Sequence, residues 1–187
     1  MGKIVLVFGG ARSGKSSFAE KYVAEAGKQV GYIATAQIYD DEMAFRVKLH
    51  RERRPENWQT YEAPFDADKA LLEAGKTREA ILFDCLTVYL SNILCSMESI
   101  EDSDKNYAKV RAEIAKLLAA ARKIPAVTVF VANEVGCGIV PDNHLSREYR
   151  DLAGLVNQIV AAEADEVYGV FCGLPIEMKK LSVNLGG

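Results

Sequence analysis

The chain is poor in the residues that would commit it to several common functions. It has two histidines and one tryptophan in 187 residues, and its four cysteines, Cys85, Cys95, Cys137 and Cys172, stand far apart with no C-x-x-C pair. That excludes a zinc-finger or disulfide framework and leaves free thiols, expected buried or partly buried in a reducing compartment. There is no basic excess. With 23 Lys+Arg against 26 Asp+Glu the net charge is -3, so nothing global draws the chain to nucleic acid or anionic membrane, and phosphate chemistry must rely on local clusters. No apolar run approaches the ~18 residues of a membrane span, and no charged-then-apolar leader precedes the first strand pattern, which makes a cytoplasmic location the expectation. Gly2 does not open a myristoylation signal, because Leu6 stands where Ser or Thr is wanted. Internal repeats and low-complexity tracts are missing too, and the length suits a single domain over residues 1–187.

What is present is alternation. Apolar runs of strand length recur at 3–8, 29–34, 80–83, 126–131 and 166–171, with helical patterns at about 15–26, 41–54, 65–74, 86–95, 104–123 and 143–164. Continuous apolar strands separated by helices predict an α/β fold with a mainly parallel sheet covered by helices on both faces. Residues 96–103 read as an exposed loop, and the segment 175–182 as an added edge strand with Pro175 at its start.

Between the first strand and the first helix lies Gly9-Gly10-Ala11-Arg12-Ser13-Gly14-Lys15-Ser16, a P-loop. Gly9 and Gly14 allow the chain to wrap an anion with its amide N–H groups inward, and the following helix aims its positive end at the same point. In this pattern Lys15 reaches the β- and γ-phosphates and Ser16 ligates Mg²⁺, so the expected guest is a nucleoside triphosphate.

In an open α/β sheet ligands sit beyond the carboxyl ends of the strands. Thr35-Ala36-Gln37 follows the second strand, Asp84 ends the 80–83 run, and Asn133-Glu134-Val135-Gly136-Cys137-Gly138 follows the 126–131 run. Asp84 is placed either to complete a Mg²⁺ shell with Ser16 or to cap the helix that follows. Glu134 is either a carboxylate near a reacting hydroxyl or part of a tight connection. A second cluster spans Asp40 to Arg54, where Arg46, His50 and Arg53 or Arg54 share one face if the segment is helical. Flanking guanidinium groups lower the imidazole's proton affinity and suit it to meeting phosphate, as a nucleophile toward phosphorus or simply within a solvated basic face.

Six separated segments carry a resemblance: residues 9–16; Tyr32-Ile-Ala-Thr-Ala-Gln37; Asp40-Asp-Glu-Met43; His50-Arg51 with Arg54-Pro55 and Trp58; Asp84-Cys-Leu-Thr87; and Asn133-Glu-Val-Gly-Cys-Gly-Ile-Val-Pro141. In this order they resemble the bifunctional adenosylcobinamide kinase/adenosylcobinamide-phosphate guanylyltransferase family of cobalamin biosynthesis. The likeness runs nearly end to end and extends to Arg150-Asp-Leu-Ala-Gly154 and Ala164-Asp-Glu-Val167.

The resemblance implies a RecA-like P-loop domain that phosphorylates the aminopropanol hydroxyl of adenosylcobinamide with GTP or ATP. It then transfers GMP from GTP to adenosylcobinamide phosphate, through a GMP-histidine intermediate, with release of pyrophosphate. The family's histidine falls on His50. Its nucleotide contacts carry over to Gly9, Gly10, Ala11, Arg12, Ser13, Gly14, Lys15 and Ser16, to Ala34, Thr35 and Ala36, to Arg51, Glu52, Arg53 and Arg54, and to Glu62 and Asp84. Ser16 and Asp84 are the Mg²⁺ residues, and Lys15 and His50 the catalytic ones. A homotrimer with the site near a subunit boundary is implied as well. Cys137 stands where the family commonly has Met, a tolerable exchange, and His144 reads as a surface residue. The rival readings are a plain small-molecule P-loop kinase, a nucleic-acid-directed ATPase and an NTP-gated switch. His50 separates the first from the bifunctional enzyme, and the acidic balance counts against the second.

Overall fold

In the computed structural model the described residues are 1–37, 55–97, 99 and 101–183. The helix expected at 41–54, with His50, Arg51, Glu52, Arg53 and Arg54, lies outside them. The strands are β1 (Ile4–Gly9), β2 (Val30–Ala34), β3 (Gln59–Glu62), β4 (Ala80–Asp84), β5 (Val127–Asn133), β6 (Glu166–Phe171) and β7 (Leu174–Glu177). The helices are α1 (Lys15–Ala26), α2 (Ala67–Ala74), α3 (Leu86–Cys95), α4 (Ser103–Lys123), α5 (His144–Glu163) and the single turn α6 (Met178–Leu181).

The strands form one sheet in the order β3-β2-β4-β5-β1-β6-β7, parallel throughout except for the antiparallel β6–β7 hairpin. Its central strands are apolar on both faces because both faces are covered. In β1, Ile4 and Leu6 pack with residues of α2 through α5, while Val5 and Val7 pack with Ala19 and Val23 of α1. On the first face Phe83 meets Tyr89 edge-on at 5.7 Å and Phe130 at 5.1 Å between ring centres. Truncating an aromatic anchor of this kind costs about 3–5 kcal/mol, a large share of the ~5–15 kcal/mol that holds a domain together.

The α4 pattern is well matched to its position. Asp102 caps the helix by accepting from Lys105 N, Arg122 and Lys123 stand in its last turn, and Val110, Ile114, Leu117, Leu118 and Ala121 are its buried stripe. Arg122 also ties together the amino end of the sheet, donating to Gly2 O at 3.0 Å and to Asp165 Oδ2 at 2.7 Å.

Three sequence expectations are corrected. The strand β3 was not foreseen, because Gln59-Thr60-Tyr61-Glu62 is polar and mostly exposed at the sheet edge, so it lacks the apolar run that marks the inner strands. The edge strand expected at 175–182 ends at Glu177, whose carboxylate accepts from Lys179 N and Lys180 N and so caps the turn α6. Three of the four free thiols, Cys95, Cys137 and Cys172, are exposed; only Cys85 is buried.

The α1–β2 turn is pinned by Glu79, whose Oε2 accepts from Lys28 N at 2.6 Å and Gln29 N at 3.1 Å. Those backbone bonds hold the Glu79 carboxyl below its usual range. A carboxylate depressed in the folded state stabilises above its unfolded pKa, and that contribution is lost as pH falls through the folded value. The gap in urea midpoint between wild type and Glu79→Ala should therefore be widest near neutral pH and close as the pH falls below the ordinary carboxylate range.

Candidate nucleotide site

Parallel register aligns the carboxyl ends of five strands. Gly9 of β1 lies opposite Asn133 of β5, and Ala34 of β2 lies opposite both Asp84 of β4 and Glu62 of β3. Next to β1, the chain leaving β1 enters α1 on one face, whereas the chain leaving β5 enters α5 on the other. That divergence opens a crevice at the carboxyl edge, where α/β proteins bind ligands.

The loop from Gly9 to Ser16 fills this position. Its bend uses Arg12 at φ 57° and Gly14 at φ 94°, both in the left-handed region. Gly14 is the N-cap of α1 and offers no side chain to the first turn, so the helix's leading N–H groups have no side-chain cap. Ser13 Oγ is buried with no hydrogen-bond partner. Such an orphan is costly unless an incoming acceptor meets it.

Lys15 is 9% exposed and donates from Nζ to Gly10 O at 3.1 Å, curling back over the loop. Burial pushes its ammonium below the ordinary value, opposed by the nearby negative charge of Asp84. An anion in the loop would supply the countercharge that burial makes valuable.

The C-terminal hairpin props the loop from behind. Gly173 N donates to Ser13 O at 2.8 Å, and a Cβ on Gly14 would lie 3.0 Å from Gly173 Cα.

Asp84 ends β4, separated from β1 by β5 alone. It does not cap α3: the N-cap is Cys85, with no side-chain capping bond. Tyr32 OH instead donates to Asp84 Oδ2 at 2.5 Å.

The main chain at Asp84–Cys85 is held by Thr35, which is fully buried and turned toward the scaffold. Its Oγ1 accepts from Cys85 N at 2.9 Å and lies 3.1 Å from the carbonyl oxygens of Asp84 and Cys85, while its N–H donates to Asp84 O. Asn92 of α3 completes the knot, donating to Thr35 O at 2.7 Å and Pro64 O at 3.0 Å. Burial, with the Asp84 charge adding, raises the Cys85 thiol to about 11, so it stays neutral near pH 7.

Glu134 ties the turn after β5. Its N–H donates to Gly9 O at 3.0 Å, and its Oε1 accepts from Gly136 N at 2.6 Å. Arg150 of α5 donates to Gly136 O at 2.7 Å. The result is an ordered loop beside the P-loop with Ile139 and Val140 exposed at its tip. Asn133 reaches across to Thr87 Oγ1 at 3.2 Å.

Of the residues expected at the site, Gly9 through Ser16, Ala34, Thr35, Ala36, Glu62 and Asp84 thus gather at one edge of the sheet. Ala34 and Ala36 are partly buried, Glu62 is exposed at the end of β3, and His144 is exposed. Tyr32, Asn92, Thr87 and Arg150 were not foreseen as supports. For Tyr32 a signal existed: two residues before Ala34, it projects from the same face of β2 as Ala34, whose strand partner is Asp84.

This fold and this loop define an α/β protein of the P-loop NTPase-like class. A family model described as cobinamide kinase / cobinamide phosphate guanyltransferase matches residues 5–178. The chain is 44% identical over 181 residues to the bifunctional adenosylcobalamin biosynthesis protein CobU of Escherichia coli K12, covering 94% of this chain and 99% of the relative. The CobU of Salmonella typhimurium is equally similar at 44% over 181 residues, with the same coverage. The protein named CobP from Pseudomonas aeruginosa is 39% identical over 175 residues, covering 93% of this chain and 96% of the relative. The chain belongs to the cobinamide kinase / cobinamide phosphate guanyltransferase family, a family of bifunctional enzymes.

A methyl at Gly14 meets both a disfavoured φ and the Gly173 backbone, which cannot swing aside as a side chain would. Gly14→Ala should weaken binding of a fluorescent GTP analogue about five- to thirtyfold while the protein stays folded, because about 1–2 kcal/mol of strain falls on the loop itself. Fluorescence titration beside circular dichroism checks both halves.

Proposed function

We propose that this chain phosphorylates the hydroxyl of adenosylcobinamide with GTP or ATP and then guanylylates the product, giving adenosylcobinamide-GDP and pyrophosphate, through a GMP adduct on His50. The observation that carries the reading is the pairing of a P-loop geometry with membership of a family whose description holds both activities.

In the kinase half the substrate hydroxyl attacks the γ-phosphorus and GDP or ADP leaves. Little covalent work falls to the protein in such a transfer; it positions and neutralises. Lys15, the uncapped first turn of α1 and the Ser13 hydroxyl are the groups for that. In the guanylyl half the nucleophile is the His50 imidazole, the bond broken joins the α-phosphorus to the bridging oxygen, and pyrophosphate leaves. The adenosylcobinamide phosphate oxygen then displaces His50 from phosphorus. Arg51, Arg53 and Arg54, close to His50 in sequence, are the countercharge for the departing pyrophosphate.

Mg²⁺ fits the oxygens that the site offers. Ser16, in the first turn of α1, and Asp84, at the end of β4, are both partly buried, and neither supplies nitrogen or sulfur. Among the described residues no group of three or more His, Cys, Asp or Glu could hold a metal alone, which suits an ion that keeps its waters and binds through one or two protein oxygens plus substrate phosphate. When bound it would screen the phosphate oxygens during both transfers.

The working assembly is a homotrimer in this reading. In its support, Phe171, Leu174, Ile176, Met178, Leu181 and Val183 are exposed apolar side chains on the β6–β7–α6 edge, more than a solvated edge needs. Among the described residues no helix is long and apolar enough to cross a membrane, and the expected setting is the cytoplasm.

GTP labelled at the α-phosphate should tag the protein and GTP labelled at the γ-phosphate should not, with the acid-labile, base-stable bond of a phosphoramidate. His50→Ala should abolish the tag and guanylyl transfer while keeping cobinamide phosphorylation. A tag from the γ-phosphate, or one that survives His50→Ala, would assign the chemistry elsewhere. Sedimentation equilibrium at micromolar concentration should give three times the chain mass; a monomer would remove the subunit boundary from the picture and leave the chemistry standing.

A further inference from the structure

We infer that Tyr32 is a positioning residue that fixes the Asp84 carboxylate for the metal–nucleotide complex. The inference rests on the reading of Asp84 as a Mg²⁺ residue given above, and adds a partner that sets its orientation. Tyr32 lies on β2 at 3% exposure, with Leu82 of β4 as its strand partner. Its ring packs in the layer beneath α1 with Val30, Leu82, Ala19 and Val23. Strand geometry does the rest. Residues two apart share a face, so Tyr32 and Ala34 project together from β2 as Leu82 and Asp84 do from β4, and the long phenol spans from the Leu82 level to the Asp84 level.

The contact that results is a 2.5 Å hydrogen bond from the phenol to Asp84 Oδ2. A short Asp side chain at a strand end has free rotation about two bonds. A tyrosine ring locked in a core has almost none, so its oxygen is a fixed point from which the carboxylate plane is set. Thr35 holds the backbone of the same residue at Asp84 O, and Asn92 in turn holds Thr35 through Thr35 O. Tyr32 and Thr35 therefore constrain the two halves of Asp84, side chain and main chain, from one strand and the residue that follows it. Partners of this kind behind a metal-binding carboxylate typically change metal affinity about 10–100-fold when removed.

A buried tyrosine merely satisfying its hydroxyl would give the same contact, and the test must separate the two roles. The probe is Mn²⁺, counted by electron paramagnetic resonance as it binds the protein saturated with the β,γ-imido analogue of GTP. Tyr32→Phe keeps the ring and removes the donor; it should weaken Mn²⁺ binding about tenfold or more and leave analogue binding in metal-free buffer unchanged. Val30→Ala, which opens the same core layer without touching Asp84, should keep Mn²⁺ affinity within about twofold.

Asp84→Asn should lose the Mn²⁺ affinity by itself, and adding Tyr32→Phe to it should cost nothing further, because the tyrosine acts through the carboxylate. Wild-type Mn²⁺ affinity in Tyr32→Phe while Asp84→Asn has lost it overturns the positioning role alone, as do losses that add in the double variant. Unchanged affinity in Asp84→Asn overturns the metal assignment and this inference with it.

Discussion

Everything at the carboxyl edge depends on the parallel register of five strands. Because Gly9 sits opposite Asn133, Ala34 opposite Asp84 and Glu62, and Asp84 opposite Val131, the loop that bends around an anion and the carboxylate at the end of β4 emerge at the same edge, with Asp84 two residues below Gly9. A slip of one residue in either pairing would turn every side chain of that strand to the other face. The apolar content of both sheet faces forbids such a slip less strictly than in a half-exposed sheet, since both sides accept apolar groups. What pins it is the set of polar contacts at the strand ends: Thr35 to the Asp84–Cys85 main chain, Tyr32 to the Asp84 carboxylate, and Glu134 N to Gly9 O. The same bonds that define the site also hold the alignment of the sheet, so binding geometry and fold are not separable here.

Those bonds are buried, which makes them asymmetric in cost. Each intact one contributes little net, about 1 kcal/mol, whereas an orphaned partner costs about 1–3 kcal/mol. Thr35 and Asn92 together satisfy the backbone oxygens of Asp84, Cys85, Thr35 and Pro64, so the knot is robust complete and fragile in part. Among the described residues Ser13 Oγ, Gln37 Nε2 and Thr128 Oγ1 are buried with nothing to bond, and of the three Ser13 lies within the loop that follows β1.

The inner strands and the long helices were legible in the sequence because their physics is local and strongly periodic. The bounds of α1 and α3 match the pattern to the residue, and the P-loop announces itself through its glycines and lysine. The edge was less legible. Gln59–Glu62 forms a strand because β2 offers it hydrogen bonds, not because its own side chains demand burial, and no period-two apolar signal marks it. The supports of the site were hidden for another reason. Asn92 and Arg150 act on carbonyls 28 to 57 and 14 residues away respectively, and a single sequence does not reveal which carbonyl a buried amide or guanidinium will find. The choice between metal residue and helix cap for Asp84 was open for the same cause; the N-cap falls on Cys85.

The strand that opens the chain has a consequence for the order in which this protein can assemble. β1 pairs with β5 and β6 and with no strand nearer in sequence. On a ribosome moving at about 5–20 residues per second, Ile4–Phe8 waits roughly 6–24 s for residue 127 to be made. During that interval Ile-Val-Leu-Val-Phe is an uncharged, proline-free β-forming segment with both edges open, the composition that seeds intermolecular pairing. The loop from Gly9 to Ser16 waits longer still, since its prop at Gly173 is made only after β5 and β6. The hazard of intermolecular pairing during synthesis is therefore concentrated in Ile4–Phe8.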